Sequence, residues 1–87
     1  MSRKFIALAV EEQMQNIKEE RPGRALLTCQ DIADLSGHNY ETIRRLLDSG
    51  AIRPRPRSKP REAYRVSVKE VARYLALGPR EGKELAA

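Results

Sequence analysis

The sequence predicts a mostly α fold: two short helices around a sharp turn, a short basic β wing, a closing helix, and an extra helix ahead of them all. Three observations predict it. Residues 28–52, TCQDIADLSGHNYETIRRLLDSGAI, hold two apolar-periodic stretches parted by Ser36-Gly37-His38. RPRPRSKPR follows directly, an arginine run stiffened by prolines. AYRVSVKEVARYL, at 63–75, then joins an alternating stretch to a capped helical one.

The first helix is expected over Arg3–Glu20, with Ser2 able to cap it. Ile6, Val10, Met14 and Ile17 recur at helical spacing, and Phe5 and Leu8 are expected to widen that apolar side. Arg21-Pro22-Gly23 stops it, because proline disfavours helix in the residue before it and glycine frees the chain. The apolar stripe has two readings. It packs on the domain core, or it is a self-association or partner-protein face.

The next two helices carry their own boundaries. Thr28 followed by Asp31 resembles a capping box, with Asp in place of the usual Glu or Gln. Ile32 and Leu35 face one side, and Ala33 is small enough for close helix contact. Gly37 can take the left-handed conformation that a sharp turn needs. Asn39 is a strong N-cap for the second helix, whose apolar face is Ile43, Leu46 and Leu47. Its opposite face offers Glu41, Arg44, Arg45 and Asp48. Gly50 ends it, and Ile52 returns to the core.

Residues 53–65 are expected to form a short two-stranded hairpin or an extended loop. Prolines 54, 56 and 60 remove backbone donors, which keeps this segment at an edge. Tyr64 and Val66 should point inward. Ser67-Val68-Lys69-Glu70 matches a capping box, and Val68, Val71, Ala72 and Leu75 form a helical stripe that Gly78-Pro79 ends. The tail from residue 80 has no strong pattern and is expected to fray.

Two short helices around a glycine turn, the second polar at its start, are the build of a helix-turn-helix, whose second helix enters the DNA major groove. ADLSGHNYETIRRLLDSGAI is similar to the winged helix-turn-helix of the excisionase and MerR-like DNA-binding family. Ala33, Gly37, Thr42, Ile43, Arg45, Leu46, Leu47, Gly50 and Ile52 keep that family's register. Residues 63–75 resemble its second wing strand and closing helix, so the resemblance covers roughly 26–77 and leaves 1–25 outside. It departs at His38, where Val or Ile is usual, at Asn39, where Ser or Thr is usual, and in a wing with prolines in place of a glycine turn. The chain is expected to divide into three parts: an N-terminal helix and turn over 1–25, a winged helix-turn-helix over 26–78, and a tail over 79–87. The resemblance implies double-stranded DNA as the partner.

Composition agrees. Eighty-seven residues make one small domain that buries about 60% of its unfolded-chain surface. The net charge is +5, which suits a polyanion. Its distribution is sharper than its total. Residues 44–65 hold eight Lys or Arg against Asp48 and Glu62, so this segment carries +6 and the remainder −1. A charge run alone reads as a solvated face; directly after a helix-turn-helix it reads as a phosphate or minor-groove contact.

The single cysteine gives no internal disulfide. FIALAV leads straight into Glu11-Glu12, which argues against a signal peptide, and no stretch reaches the ~18 apolar residues of a membrane span. A cytoplasmic, nucleoid-associated protein is expected. Enzyme chemistry, a cofactor and a metal are not expected. The chain has one His, one Cys, and neither a glycine-rich phosphate loop nor metal-ligand spacing. Cys29 sits at a helix start, where the dipole can lower a thiol pKa, but it reads first as a small residue in a helical turn.

Asn39, Tyr40, Glu41, Thr42, Arg44 and Arg45 are the candidate DNA contacts of the second helix. Arg44 is the best base reader, since arginine binds guanine O6 and N7 bidentately. Four of its neighbours have a structural alternative. Asn39 can be occupied as N-cap, Tyr40 can cover the helix start, Thr42 can cap the backbone, and Arg45 can pair with Asp48 or Glu41. Arg53, Arg55, Arg57, Lys59, Arg61 and Arg65 are the candidates of the wing, suited to phosphate or a narrow minor groove. These features point to a sequence-specific DNA-binding protein, either a transcription regulator or an excisionase-like recombination factor. The competing class is an adaptor of the same fold that contacts protein, such as a small terminase-like packaging subunit. Self-association through the first helix, or cooperative assembly on DNA, fits either.

Overall fold

The computed structural model describes residues 3–57 and 63–79. Ser2, Lys59, Arg61 and the tail from residue 80 lie outside the described residues. The elements run α1 (Arg3–Glu20), β1 (Leu26–Leu27), α2 (Cys29–Ser36), α3 (Tyr40–Ser49), β2 (Val66–Ser67) and α4 (Val68–Leu77). This is the mostly helical architecture that the periodicities predict.

The α1 helix occupies its expected span and lies against α4. Ile17 is fully buried, and Val10 and Met14 pack half-buried on the same core. Phe5 and Leu8 do not widen the inward face; they are 59% and 56% exposed. The cause is angular. Leu8 stands nine positions before Ile17, about two and a half helical turns, which puts it on the opposite side. Past Arg21 the chain reverses through Gly23 at φ +77°.

The two strands form one antiparallel pair, with Leu26 opposite Ser67 and Leu27 opposite Val66. Leu27 and Val66 are both fully buried. The pairing therefore stitches the entry of α2 to the entry of α4, a partner the sequence reading did not foresee. The described arms of the wing contain no strand of their own. They run extended, and Arg55 N donates to Arg65 O at 2.7 Å.

The helix boundaries follow local chemistry. Thr28 Oγ1 accepts from Asp31 N while the Asp31 carboxylate accepts from Thr28 N, a complete capping box. Gly37 closes α2 at φ +78° and Gly50 closes α3 at φ +83°, both left-handed conformations that a Cβ penalises. Ser67 Oγ accepts from Glu70 N at the start of α4. Glu70 has further work: its carboxylate accepts from Arg53 N at 2.9 Å and pairs with Arg73. Arg73 also donates to Ala51 O and Gly78 O. One α4 side-chain pair thus holds the exit of α3, the root of the wing and its own helix end.

The core fills the space between these elements. Ile17, Leu27, Ile32, Ile43, Ile52, Val66 and Val71 are its largest fully buried side chains. Tyr74 joins them at 6% exposure, a member the apolar stripe of α4 did not announce.

Asp31 gives the fold an acid-sensitive point. Burial by itself would raise its pKa, but hydrogen bonds from Thr28 and Arg21, with the charge of Arg24, outweigh it and hold the carboxyl below its ordinary value. A carboxylate with a depressed folded pKa adds stability above its unfolded value, near 3.9, and loses it as pH falls through the folded one. Asp31→Asn should therefore cost about 1–3 kcal/mol at pH 7. Urea unfolding at successive pH values should also show a shallower loss below about pH 4 for this variant than for wild type.

Candidate nucleic-acid interface

The α3 helix has two faces of opposite character. Ile43 and Leu47 are buried and Leu46 is half-buried, which fixes the rotation of the helix on the core. Glu41, Arg44, Arg45 and Asp48 then fall on the outer side and all are exposed. None of the four is released from the core by flexibility; the packing of the inner face aims them outward.

At the start of α3, Asn39 Oδ1 accepts from Thr42 N at 2.8 Å. The cap so occupies its oxygen and leaves the amide NH₂ at an exposed position. Tyr40 is 44% exposed, and its carbonyl accepts from the Cys29 thiol at 3.7 Å. Thr42 is exposed one turn from the helix end. Among the described residues no ion pair engages Arg44 or Arg45, so the Arg45 pairing with Asp48 or Glu41 is not formed.

The wing adds Arg53, Arg55, Arg57 and Arg65, each exposed. The 2.7 Å rung between Arg55 N and Arg65 O holds the two arms side by side. Arg53 is fixed through its backbone N–H on Glu70. Arg65 turns one guanidinium nitrogen to the Tyr64 carbonyl at 3.2 Å. Lys59 and Arg61 lie outside the described residues.

One residue joins this surface that the sequence reading did not assign to it. Tyr64 points inward as expected, packing half-buried against the core, while its hydroxyl donates to the Asp48 carboxylate on α3. The Arg57 guanidinium stands over its ring, 4.3 Å from the centroid. The hydrogen bond to Asp48, then burial, push the Tyr64 phenol pKa up, so the proton that makes the bond is retained. The partners are 16 residues apart, so no local pattern could have revealed them.

Other candidate chemistry recedes. Burial raises the Cys29 thiol pKa, against the lowering that a helix dipole alone would give, and the thiol is a packed group. His38 is exposed with its ring 6.4 Å from that of Tyr74. Among the described residues there is no group of three or more His, Cys, Asp or Glu that could hold a metal, and no helix is long and apolar enough to cross a membrane.

The sequence pattern of a helix-turn-helix domain family, a family of excisionase-like DNA-binding domains, matches residues 26–79. The match takes in α2, α3, the wing and α4 and leaves α1 outside. Domains of this kind are generally non-enzymatic, and the match suggests DNA binding. No curated protein and no solved structure matches the chain. With well over half of its residues inside the match, and with the two capped helices and their glycine turn in place, the chain belongs to the helix-turn-helix domain family.

Proposed function

We propose that this protein binds double-stranded DNA at specific sequences, with α3 in the major groove and the basic wing on phosphate or in the minor groove. It then acts as a transcription regulator or as an excisionase-like recombination factor. The observation that carries the reading is the outer stripe of α3. Glu41, Arg44, Arg45 and Asp48 are exposed together while Ile43 and Leu47 behind them are buried. A helix held this way offers its polar side to a groove about as wide as a helix. Residues 26–78 form the DNA-binding unit of this reading and 1–25 an accessory helix. The protein works on the nucleoid, in the cytoplasm.

In this reading Arg44 is the base reader, and Asn39, Tyr40, Thr42 and Arg45 position the helix through phosphate or base edges. Glu41 favours a cytosine amino group or excludes the wrong base by repulsion. Arg44→Ala should weaken binding to a selected site by roughly 1–3 kcal/mol and relax specificity at one or two base pairs. The measurement is affinity for the selected duplex and for random duplex in parallel. Equal loss on both would reduce Arg44 to a phosphate contact.

A second duty has one observation in its favour. Phe5 and Leu8 are exposed on α1, outside the family match. This favours self-association or cooperative assembly on DNA through that helix, and it is also what a packaging adaptor would use. Sedimentation of wild type and Leu8→Glu, with and without DNA, separates these cases.

A further inference from the structure

Tyr64 belongs to the wing and Asp48 to the recognition helix, and the phenol joins them. The same ring carries Arg57 on its face at 4.3 Å. The two contacts are in series: helix carboxylate, phenol hydroxyl, ring, guanidinium. We infer that Tyr64 is a positioning residue for DNA binding, a latch that holds the wing's Arg57 beside the outer stripe of α3 before DNA arrives. The inference rests on the reading of α3 and the wing as the DNA interface.

The surroundings support a latch over an incidental contact. The wing is anchored at its root by Arg53 N on the Glu70 carboxylate and across its arms by Arg55 N on Arg65 O. Neither bond sets the angle between the wing and α3. The Tyr64–Asp48 bond does, because it is the described hydrogen bond between the two. An arginine side chain free to rotate loses rotamer entropy when it docks on phosphate. A guanidinium already resting on an aromatic face loses less. Asp48 gains as well: an acidic group at a DNA-facing surface repels phosphate, and a phenol that donates to it directs it toward the wing.

The latch predicts coupling, and coupling is what a merely structural tyrosine would not give. Arg57→Gln should weaken duplex binding about three- to tenfold and flatten the plot of log K against log salt by about one unit. Tyr64→Phe keeps the ring and removes the hydroxyl, and it should produce a similar loss. The double variant should then be little worse than either single one. Asp48→Ala breaks the latch from the helix side with Tyr64 intact, so it serves even where a Tyr64 variant folds poorly; Arg57→Gln should lose most of its effect in that background too. Circular dichroism confirms folding of each variant. Independent, multiplying losses for Tyr64→Phe and Arg57→Gln, or an undiminished Arg57→Gln effect in the Asp48→Ala background, would overturn the latch while leaving DNA binding intact. Wild type without salt-dependent duplex binding would overturn the DNA reading itself, and the latch with it.

Discussion

Replacing Val10 and Met14 together by Glu should unfold the domain or bring it to the edge of unfolding. Both side chains pack half-buried on the core where α1 meets α4, next to the fully buried Ile17. Each substitution removes apolar contact that contributes about 1–2 kcal/mol and brings a carboxylate against an apolar surface that cannot solvate it. The combined loss should reach about 3–5 kcal/mol, against a total stability of about 5 kcal/mol for a domain of this size. Urea unfolding followed by circular dichroism gives the number. Leu8→Glu is the matched control: on the exposed side of the same helix it should stay within about 0.5 kcal/mol of wild type. A double-Glu variant with a wild-type midpoint would mean that α1 does not rest on α4 in solution. Sedimentation of the same variant beside circular dichroism decides between the two roles of the stripe, because loss of fold and loss of mass are then read separately.

That α1 would form was plain from the sequence; which of its apolar residues would be covered was not. Ile6, Val10, Met14 and Ile17 fall within one narrow stripe, and that stripe is the covered one. Phe5 and Leu8 look like its margin in a linear reading but lie far round the helix and stay exposed. The turn chemistry was fully legible. Gly37 and Gly50 are required by positive φ, and Thr28, Asn39 and Ser67 each accept the backbone bond that their positions call for. Legibility fails where contacts span distance. Leu26-Leu27 is too short to show a two-residue period, so its pairing with Val66-Ser67 gave no signal. Asp48 with Tyr64, and Arg53 with Glu70, meet only because the core brings α3, the wing and α4 together. Those long-range bonds define the geometry of the interface. The charge of the candidate interface, by contrast, is legible locally in Arg44, Arg45 and the arginine-proline run.

The wing should account for most of the salt dependence of DNA binding. If Arg55, Arg57, Lys59 and Arg61 meet the backbone or the minor groove, each contact releases a condensed counterion. With about five phosphate contacts in all, log K against log salt should slope near −4 to −5 for each bound monomer. Replacing the four by Gln should flatten the slope by about 3 to 4 units, since each neutralised phosphate contributes about 0.9. Specific and non-specific affinity should fall together, because phosphate contacts position the protein without reading sequence. Fold stability should barely change: Arg55 and Arg57 are exposed, and the wing is anchored through the backbone N–H groups of Arg53 and Arg55 and through Tyr64, which the substitutions leave in place. Arg57→Gln also removes the cation above Tyr64, so about one unit of the flattening belongs to the latch and should disappear when Tyr64→Phe is the reference. The measurement is a salt titration of wild type and quadruple variant on one duplex. An unchanged slope would show that the arginine run is a solvated surface, and would leave α3, with Arg44 at its centre, as the whole of the DNA contact.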